Sequence, residues 1–510
     1  TWHGKAQAKR IAQSVSTGTL LPCKEESKHW DSTQNLFIEG DNLEVLKLLQ
    51  KSYHNQVKMI YIDPPYNTGK EFIYPDNYRD NLDTYMQYTG QKDNEGRKFG
   101  TNPEQSGKYH TNWLNMMYPR LKLARNLLRD DGVIFISIDE NEVSNLRKLC
   151  DEVFGEENFR NTISVRRGIK NVQAQFEDIS SLSSGHEYIL VYSKNTTIRL
   201  PKLVLSHSSA KPGKWDTFWR GTDRKTMRYE LFGITPTKGQ WRWEENRTKE
   251  AAENYFYYLE KQSEHLSLDE WYIDNLTSNN IKLNFVRKND GGTVQYYVPP
   301  SEGKLLSDNW MDILLSGNET EFFDTEKSLL LLKRIVNWIS SISNSGDIIL
   351  DFFSGSCTSA HAVMDLNTKD NGSRKHIMVQ LPEPCDEKSE AFKAGYKTIA
   401  DIGKERIRRA GEKILQDNAD KEGIKNLDIG FKVFKLDSSN IKPWDADFDN
   451  LEDTLLSHVD NIKQERSEED VLYEILLKYG LNLTVPIEER IIHGKIVYII
   501  GFGALIICLD

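Results

Sequence analysis

The chain is poor in cysteine, and the few cysteines lie far apart. Five are present among 510 residues, and none forms a CxxC pair or stands near a histidine at metal-ligand spacing. They are Cys23, Cys150, Cys357, Cys385 and Cys508. This scarcity excludes a disulfide-stapled secreted scaffold and argues against a zinc site, so we expect no metal and a reducing, cytoplasmic location.

Long apolar runs and targeting segments are also missing. The longest run, 496–509, is interrupted by Gly501 and Gly503 and is shorter than the ~18 residues of a spanning helix. We interpret it as two strands around a Gly-Phe-Gly turn, and we predict no membrane contact. No charged leader precedes an apolar stretch, which argues against secretion. Since the chain starts at Thr1 and stops inside a predicted strand, we expect it to be part of a longer protein.

Charge of one sign does not dominate, although the net charge is -10. Residues 160–250 contain 17 Lys and Arg against 9 Asp and Glu, whereas residues 415–470 contain 7 against 15. Such segregation is expected of a polyanion-binding face and a separate acidic region, although ordinary solvated faces give similar counts. With 38% hydrophobic and 28% charged residues, the composition is that of a soluble globular protein of two or three domains.

Strands and helices alternate in two parts of the chain, which predicts a parallel sheet with helices on its faces. In the first part the predicted elements are the strands 36–39, 57–62, 133–138 and 186–193 and the helices 43–53, 113–129 and 141–153. In the second part they are the strands 348–350 and 377–381 and the helices 325–340, 358–366 and 395–415. The fold class is therefore α/β.

The segment between these two parts differs in composition. Its tryptophans, Trp215, Trp219, Trp241, Trp243 and Trp271, are interleaved with Arg220, Arg224, Arg228, Arg242 and Arg247. We interpret it as an inserted domain, and the tryptophans suit its core as well as a stacking surface. The predicted division is an N-terminal arm 1–34, an α/β half 35–194, the insertion 195–310, a second α/β half 311–427 and an acidic α+β region 428–510.

The first chemical motif is Asp63-Pro64-Pro65-Tyr66, directly after a buried strand and therefore at the carboxyl end of a parallel strand, where such sheets bind ligands. The two prolines fix a rigid elbow. The Asp63 carboxylate and the Pro64 carbonyl are two acceptors that can hold an exocyclic base amine, and Tyr66 can stack on a base flipped out of the duplex. No metal is required. Acidic residues before Pro-Pro also occur in plain turns.

Three further segments suit a nucleotide-like cofactor. The strand ending at Asp351 runs into Phe353-Ser354-Gly355-Ser356 and a helix start, a turn whose N–H groups can face a ligand. Glu383 follows the next strand and is placed to hold a ribose diol. Asp41 follows an earlier strand, although Asp41 or Asn42 is equally suited to be a helix N-cap.

Together these motifs resemble the circularly permuted β-class amino-methyltransferases, and most closely the modification subunit of type III restriction-modification systems. The resemblance covers nearly the whole chain. It is carried by Phe37-Ile38-Glu39-Gly40-Asp41-Asn42, Ile60-Tyr61-Ile62-Asp63-Pro64-Pro65-Tyr66-Asn67-Thr68-Gly69, Val133-Ile134-Phe135-Ile136-Ser137-Ile138-Asp139, Glu187-Tyr188-Ile189-Leu190-Val191-Tyr192 and Asp351-Phe352-Phe353-Ser354-Gly355-Ser356.

The resemblance implies a Rossmann-like methyltransferase sheet and methylation of adenine N6 in double-stranded DNA with S-adenosylmethionine. It implies catalytic roles for Asp63, Pro64, Pro65 and Tyr66. It further implies cofactor contacts for Asp41, Asp63, Lys327, Asp351, Phe353, Gly355, Ser356 and Glu383, with Phe323 in the motif of Lys327. The insertion becomes the target-recognition domain, with Arg220, Arg224, Arg242 and Arg247 on DNA. The partners implied are a restriction subunit and a second copy of the chain.

Two departures from the family pattern affect the cofactor half. Cys357 replaces a second glycine in the turn, and Ser328 replaces a proline after Lys327. If position 357 has positive φ, a side chain there costs on the order of 1 kcal/mol and crowds the methionine moiety. Two alternatives therefore stay open. One is methylation of cytosine N4, and the other is a DNA-recognition module with impaired cofactor binding.

Overall fold

The computed structural model describes residues 1–69, 82, 85, 108–168, 182–279, 281–316, 326–340, 346–442 and 461–509. Most of residues 67–112, which are rich in Asn, Gly, Asp and Tyr and are predicted to form a long loop, lies outside these residues, as does Phe323. The chain forms two compact units. One comprises Thr1–Pro201 and Asp308–Asp510, and the other, Lys202–Ser307, lies within the predicted insertion.

Twenty strands are described. The first unit begins with β1 (Gly18–Pro22), β2 (Leu36–Glu39), β3 (Val57–Ile62), β4 (Leu128–Ile138), β5 (Phe159–Arg166) and β6 (His186–Ser193). The second unit contains β7 (Val204–Lys211), β8 (Lys214–Thr217), β9 (Trp219–Arg220), β10 (Gln240–Trp241), β11 (Val286–Lys288), β12 (Val294–Val298) and β13 (Ser301–Leu305). The first unit continues with β14 (Asn309–Leu314), β15 (Ile348–Asp351), β16 (Lys375–Gln380), β17 (Lys432–Ser438), β18 (Ile487–Ile492), β19 (Lys495–Ile500) and β20 (Leu505–Cys508).

The α-helices of the described residues are numbered in the same way. They are α1 (Lys5–Gln13), α2 (Asn42–Ser52), α3 (Tyr109–Leu127), α4 (Val143–Phe154), α5 (Glu245–Lys261), α6 (Leu268–Asn279), α7 (Leu329–Ile339), α8 (Thr358–Asp370), α9 (Glu390–Lys393), α10 (Ile399–Asp417) and α11 (Glu468–Tyr479). Within the described part of the chain, no helix is long and apolar enough to cross a membrane.

A ten-stranded sheet forms the centre of the first unit, in the order β1-β17-β2-β16-β15-β3-β4-β6-β5-β14. Six consecutive strands of this sheet, β17, β2, β16, β15, β3 and β4, are parallel to one another. Each parallel strand is buried on both faces, which explains runs such as Val-Lys-Met-Ile-Tyr-Ile in β3. The expected α/β class with a mostly parallel sheet is confirmed.

Helices cover both faces of this sheet because side chains alternate along each strand. In β2, Leu36 and Ile38 pack into one apolar core that includes residues of α2 and α3. Phe37 between them packs into the opposite core, with residues of α8 and α10. One four-residue strand therefore joins the two cores.

Several elements differ from the sequence prediction. The helix predicted from residue 325 begins at Leu329, because Lys327 instead forms an antiparallel bridge with Ser316. The strand β17 lies in the range predicted as a separate C-terminal region, yet it pairs with β1 and β2 in the main sheet. The two strands predicted in 496–509 are confirmed as β19 and β20.

The second unit is built around aromatic side chains. A three-stranded sheet (β11-β12-β8) accompanies two antiparallel two-stranded sheets, β9–β10 and β7–β13. Trp241 and Trp271 are buried in its two apolar clusters, so these tryptophans belong to its core. Trp219 is different, because 46% of it is exposed.

Candidate active site

The carboxyl edge of the parallel sheet gathers the predicted site residues. The strands β2, β3, β15 and β16 all end there, and the residues at or just beyond their ends include Asp41, Asp63, Asp351 and Glu383. Parallel strands place such residues at one edge, whatever their separation in sequence. The predicted catalytic and cofactor segments are thus neighbours.

The Asp-Pro-Pro-Tyr elbow is held from several sides. The Tyr66 hydroxyl donates to Asp63 Oδ1 at 2.9 Å, and Trp113 Nε1 of α3 donates to the Pro65 carbonyl at 2.7 Å. The following Asn67 is buried, has a φ of 61° and donates to a carboxylate of α4's N-cap residue, Glu142, at 2.6 Å. Within the described residues no hydrogen bond reaches the Pro64 carbonyl oxygen. That acceptor is available to a ligand.

A lysine and a second carboxylate complete the catalytic end. Lys327 Nζ lies 2.7 Å from the Tyr66 hydroxyl, 3.1 Å from Asp63 Oδ1 and 3.5 Å from Glu187 Oε2. Glu187 is buried at the start of β6 and also faces Arg167 at 3.4 Å. Burial, and then the charge of Asp63, raise the pKa of Tyr66 well above its ordinary value, so it remains a phenol and a donor. Sequence reasoning missed Glu187, whose only signal is a charge inside a buried strand.

The glycine turn after β15 keeps its N–H groups for the protein. Gly355 N donates to Gln380 Oε1 at 2.7 Å, and Phe353 N donates to Asp351 Oδ1 at 3.1 Å. The Ser359 hydroxyl of α8 donates to the other oxygen of Asp351. Burial raises the pKa of Asp351 to about 7. Asp351 therefore shapes the turn, and the interpretation of the turn as a row of free N–H donors is not supported.

Cys357 adopts the left-handed conformation, with a φ of 62°. Its thiol is fully buried in the core on the α8 and α10 side, and a Cβ added at Gly403 would lie 2.9 Å from its Sγ. Burial raises the pKa of Cys357 to about 12, so the group remains a thiol. The side chain is therefore accommodated by the absence of a side chain at Gly403, and crowding of a cofactor by this sulfur, expected from the sequence, does not follow.

The other predicted cofactor residues differ in how free they are. Asp41 is the N-cap of α2, accepting from Glu44 N at 3.1 Å, and its second oxygen is 3.3 Å from Arg120, which is fully buried. Asn42 donates to the Phe352 carbonyl at 2.7 Å. Glu383 has no hydrogen bond or ion pair through its carboxylate among the described residues, and burial raises its pKa.

A carboxylate cluster lies beside the cofactor half. Glu26, Glu39 and Asp401 are close enough together to share a cation. The buried ammonium of Lys404 already contacts all three, at 2.8 Å from Glu39 and 3.2 Å from Asp401. The cluster therefore anchors α10 to the end of β2.

The four predicted DNA-contacting arginines fall into two classes. Arg220 and Arg224 are exposed, and Arg220 directly follows the exposed Trp219 in the chain. Arg242 lies 4.4 Å from the centre of the Tyr296 ring, and Arg247 lies 4.4 Å from that of Trp243. The first two are free to meet a ligand, whereas the last two stabilise the aromatic surface of the unit.

The chain is similar to known DNA-modifying proteins. A family model described as DNA methylase (N6_N4_Mtase) matches residues 57–412. The Mod subunit of the type III restriction-modification enzyme EcoP15I of Escherichia coli is 31% identical, over 97% of this chain and 79% of that protein. The StyLTI Mod subunit of Salmonella typhimurium is 35% identical, over 85% of this chain and 65% of that protein. The solved structure of an M1.HpyAVI-SAM complex is 14% identical, covering 73% of this chain and 98% of that one, with a TM-score of 0.32.

The family model and the match to the EcoP15I Mod subunit both extend over the Asp-Pro-Pro-Tyr elbow and the glycine turn. The chain therefore belongs to the N6_N4 DNA methylase family and, within it, to the modification subunits of type III restriction-modification enzymes.

Proposed function

We propose that this protein transfers the methyl group of S-adenosylmethionine to N6 of an adenine flipped out of double-stranded DNA. The observation that carries the proposal is a pair of acceptors at the carboxyl edge of β3, the Asp63 carboxylate and the Pro64 carbonyl. An exocyclic amine has two hydrogens and a lone pair delocalised into the ring. Two acceptors that hold these hydrogens turn the lone pair out of the ring plane and make the nitrogen a nucleophile.

Lys327 and Glu187 govern access to one oxygen of Asp63. Because the Lys327 ammonium lies 3.1 Å from Asp63 Oδ1, an incoming amine that binds this oxygen displaces it. Glu187, 3.5 Å from the same ammonium, retains it nearby. Lys327 also lies 4.8 Å from the centre of the Tyr66 ring. Its departure from that ring face exposes an aromatic surface on which the base stacks.

The cofactor half fits S-adenosylmethionine, which supplies an electrophilic methyl group on a sulfonium. Glu383 offers a partly buried carboxylate without a protein partner among the described residues, as a ribose diol requires. Phe353 is partly exposed beside the turn and suits the cofactor's apolar faces, and Gly355 leaves the approach open. Roles for Asp41 and Ser356 remain predictions, since both have protein partners.

DNA recognition is assigned to the second unit. Arg220 and Arg224 are exposed donors, and Arg220 directly follows the exposed Trp219; arginines of this kind read guanine edges and phosphates. The similarity to Mod subunits of type III restriction-modification enzymes supports a restriction subunit as partner. A second copy of this chain as partner and a cytoplasmic location are further parts of the proposal. Light scattering with and without a restriction subunit tests both partners.

The direct test incubates the protein with S-adenosylmethionine and a random library of duplex DNA. Nucleosides are then identified by mass spectrometry, and the modified positions are sequenced. N6-methyladenine within one sequence context is expected, and Asp63→Ala should abolish it. N4-methylcytosine would overturn the choice of base, and no methylation despite cofactor binding would overturn the activity.

A further inference from the structure

The short segment 326–328 joins the catalytic end to the cofactor half. Lys327 forms an antiparallel bridge with Ser316, and Ser328 N donates to the Leu315 carbonyl at 2.7 Å. The segment is therefore extended, so its successive side chains point to opposite sides. Lys327 reaches Asp63, whereas Glu326 points into the protein interior.

Glu326 meets a buried arginine there. Its side chain is 1% exposed and forms an ion pair with Arg406 of α10, whose side chain is 4% exposed. The same Arg406 Nη1 donates at 2.9 Å to the Ser356 hydroxyl and at 2.9 Å to the Thr358 hydroxyl. These two hydroxyls stand at the end of the cofactor turn and the start of α8. One guanidinium thus contacts both the segment that carries Lys327 and the glycine turn.

We propose that Arg406 is a positioning residue that fixes Lys327, through Glu326, at a set distance from the cofactor turn. The inference rests on the proposed methyl transfer, in which amine and methyl group must be aligned within a fraction of an ångström. Buried ion pairs add little net stability compared with apolar residues of similar volume. A gain in stability therefore does not explain this ion pair well. Its contacts with both the segment of Lys327 and the glycine turn explain it as a means of aligning the two.

The test replaces the whole ion pair, so that no buried charge is left alone. Glu326→Leu/Arg406→Met is expected to melt close to the wild type, because both charges are removed together. Its kcat for methylation should fall by about 100-fold, the usual cost of misplacing reacting groups by an ångström. The Kd for S-adenosylmethionine, measured by calorimetry, should rise because the turn loses two hydrogen bonds.

A matched control changes the buried ion pair between Asp370 and Arg374 at the opposite end of α8. Asp370→Leu/Arg374→Met should retain the kcat and the cofactor Kd. A milder variant, Thr358→Val, removes one hydroxyl without unbalancing charge and should raise the cofactor Kd with an unchanged Tm.

Three outcomes decide the matter. The positioning role is supported if kcat falls in the Arg406 double variant but not in the control variant, and if the Kd for the cofactor rises in Thr358→Val. A folded Arg406 double variant within threefold of the wild-type kcat overturns it, as does an equal loss in the control. Absence of methylation by the wild type would overturn the proposed function instead, and the cofactor Kd values would still test the link between Arg406 and the turn.

Discussion

Gly403→Ala tests whether the structure has correctly placed the thiol of Cys357. An added Cβ would lie 2.9 Å from Cys357 Sγ, 3.0 Å from the Gly355 carbonyl oxygen and 3.3 Å from the Phe37 ring. Carbon atoms in contact normally stay about 3.5 Å or more apart. The carbonyl belongs to the cofactor turn itself, so relieving that contact moves the turn.

Two opposing effects set the change in the free energy of unfolding of Gly403→Ala. Overpacking a dense core lowers this free energy by about 1–3 kcal/mol, and replacing glycine by alanine within a helix raises it by up to about 1 kcal/mol. The net loss of about 1 kcal/mol lowers the Tm by a few degrees. Because the shift occurs at the turn, the Kd for S-adenosylmethionine should rise by about tenfold, or ~1.4 kcal/mol.

Calorimetry and thermal melting of three variants separate this effect from general damage. Gly411→Ala, in the same helix, places a Cβ 2.9 Å from the Ile429 side chain, away from the turn, and should lower the Tm without changing the Kd. Cys357→Gly/Gly403→Ala removes the sulfur and the strain of the positive φ, and should recover most of the affinity. If Gly403→Ala binds cofactor as the wild type does while melting like Gly411→Ala, the proposed packing of the thiol against Gly403 is wrong.

Three other outcomes are expected. Asp63→Ala should lower methylation by at least about 1000-fold and leave the cofactor Kd within threefold, because its carboxylate acts on the base amine. Arg220→Ala and Arg224→Ala should weaken DNA binding and together reduce the slope of the log of the DNA-binding constant against the log of the salt concentration by about 2. The Kd for S-adenosylmethionine should not change. Asp351→Asn should flatten the pH dependence of unfolding. The raised pKa, about 7, makes the native state hold a proton that the unfolded state releases above its value of 3.8, so wild-type stability falls by up to roughly 4 kcal/mol between pH 4 and 7. If the free energy of unfolding of Asp351→Asn depends on pH as steeply as that of the wild type, the raised pKa of Asp351 is contradicted.

The position of the Asp-Pro-Pro-Tyr elbow was predictable because its signals are local. A continuous apolar run marks β3 as a strand buried on both faces, and Asp63-Pro64-Pro65 marks its end. The parallel arrangement then places Glu383 and the glycine turn at the same edge without any knowledge of tertiary contacts. The α/β class follows from the same strand and helix periodicity.

Contacts between distant segments were not predictable. Arg406 resembles any other charged residue of an amphipathic helix, and its burial against Glu326 depends on how α10 packs. The side-chain direction of Cys357 depends equally on Gly403, 46 positions later. The Gly355 amide looked free in sequence because its acceptor, Gln380, lies on the next strand. The partner of strand β17 could not be predicted from the sequence, because β17 and its neighbour β2 are nearly 400 residues apart in the chain.

The charges around the elbow bear on the chemistry itself. Burial raises the pKa of Asp351 to about 7 and that of Asp139 to about 6, so these carboxyls add little negative charge at mildly acidic pH. Asp63 and Glu187 stand on either side of the ammonium of Lys327. When a neutral base amine displaces that ammonium and attacks the methyl group, positive charge develops on its nitrogen. It then develops at the place that the ammonium occupied before, so we propose that the carboxylates that hold Lys327 before the reaction stabilise the transition state during it.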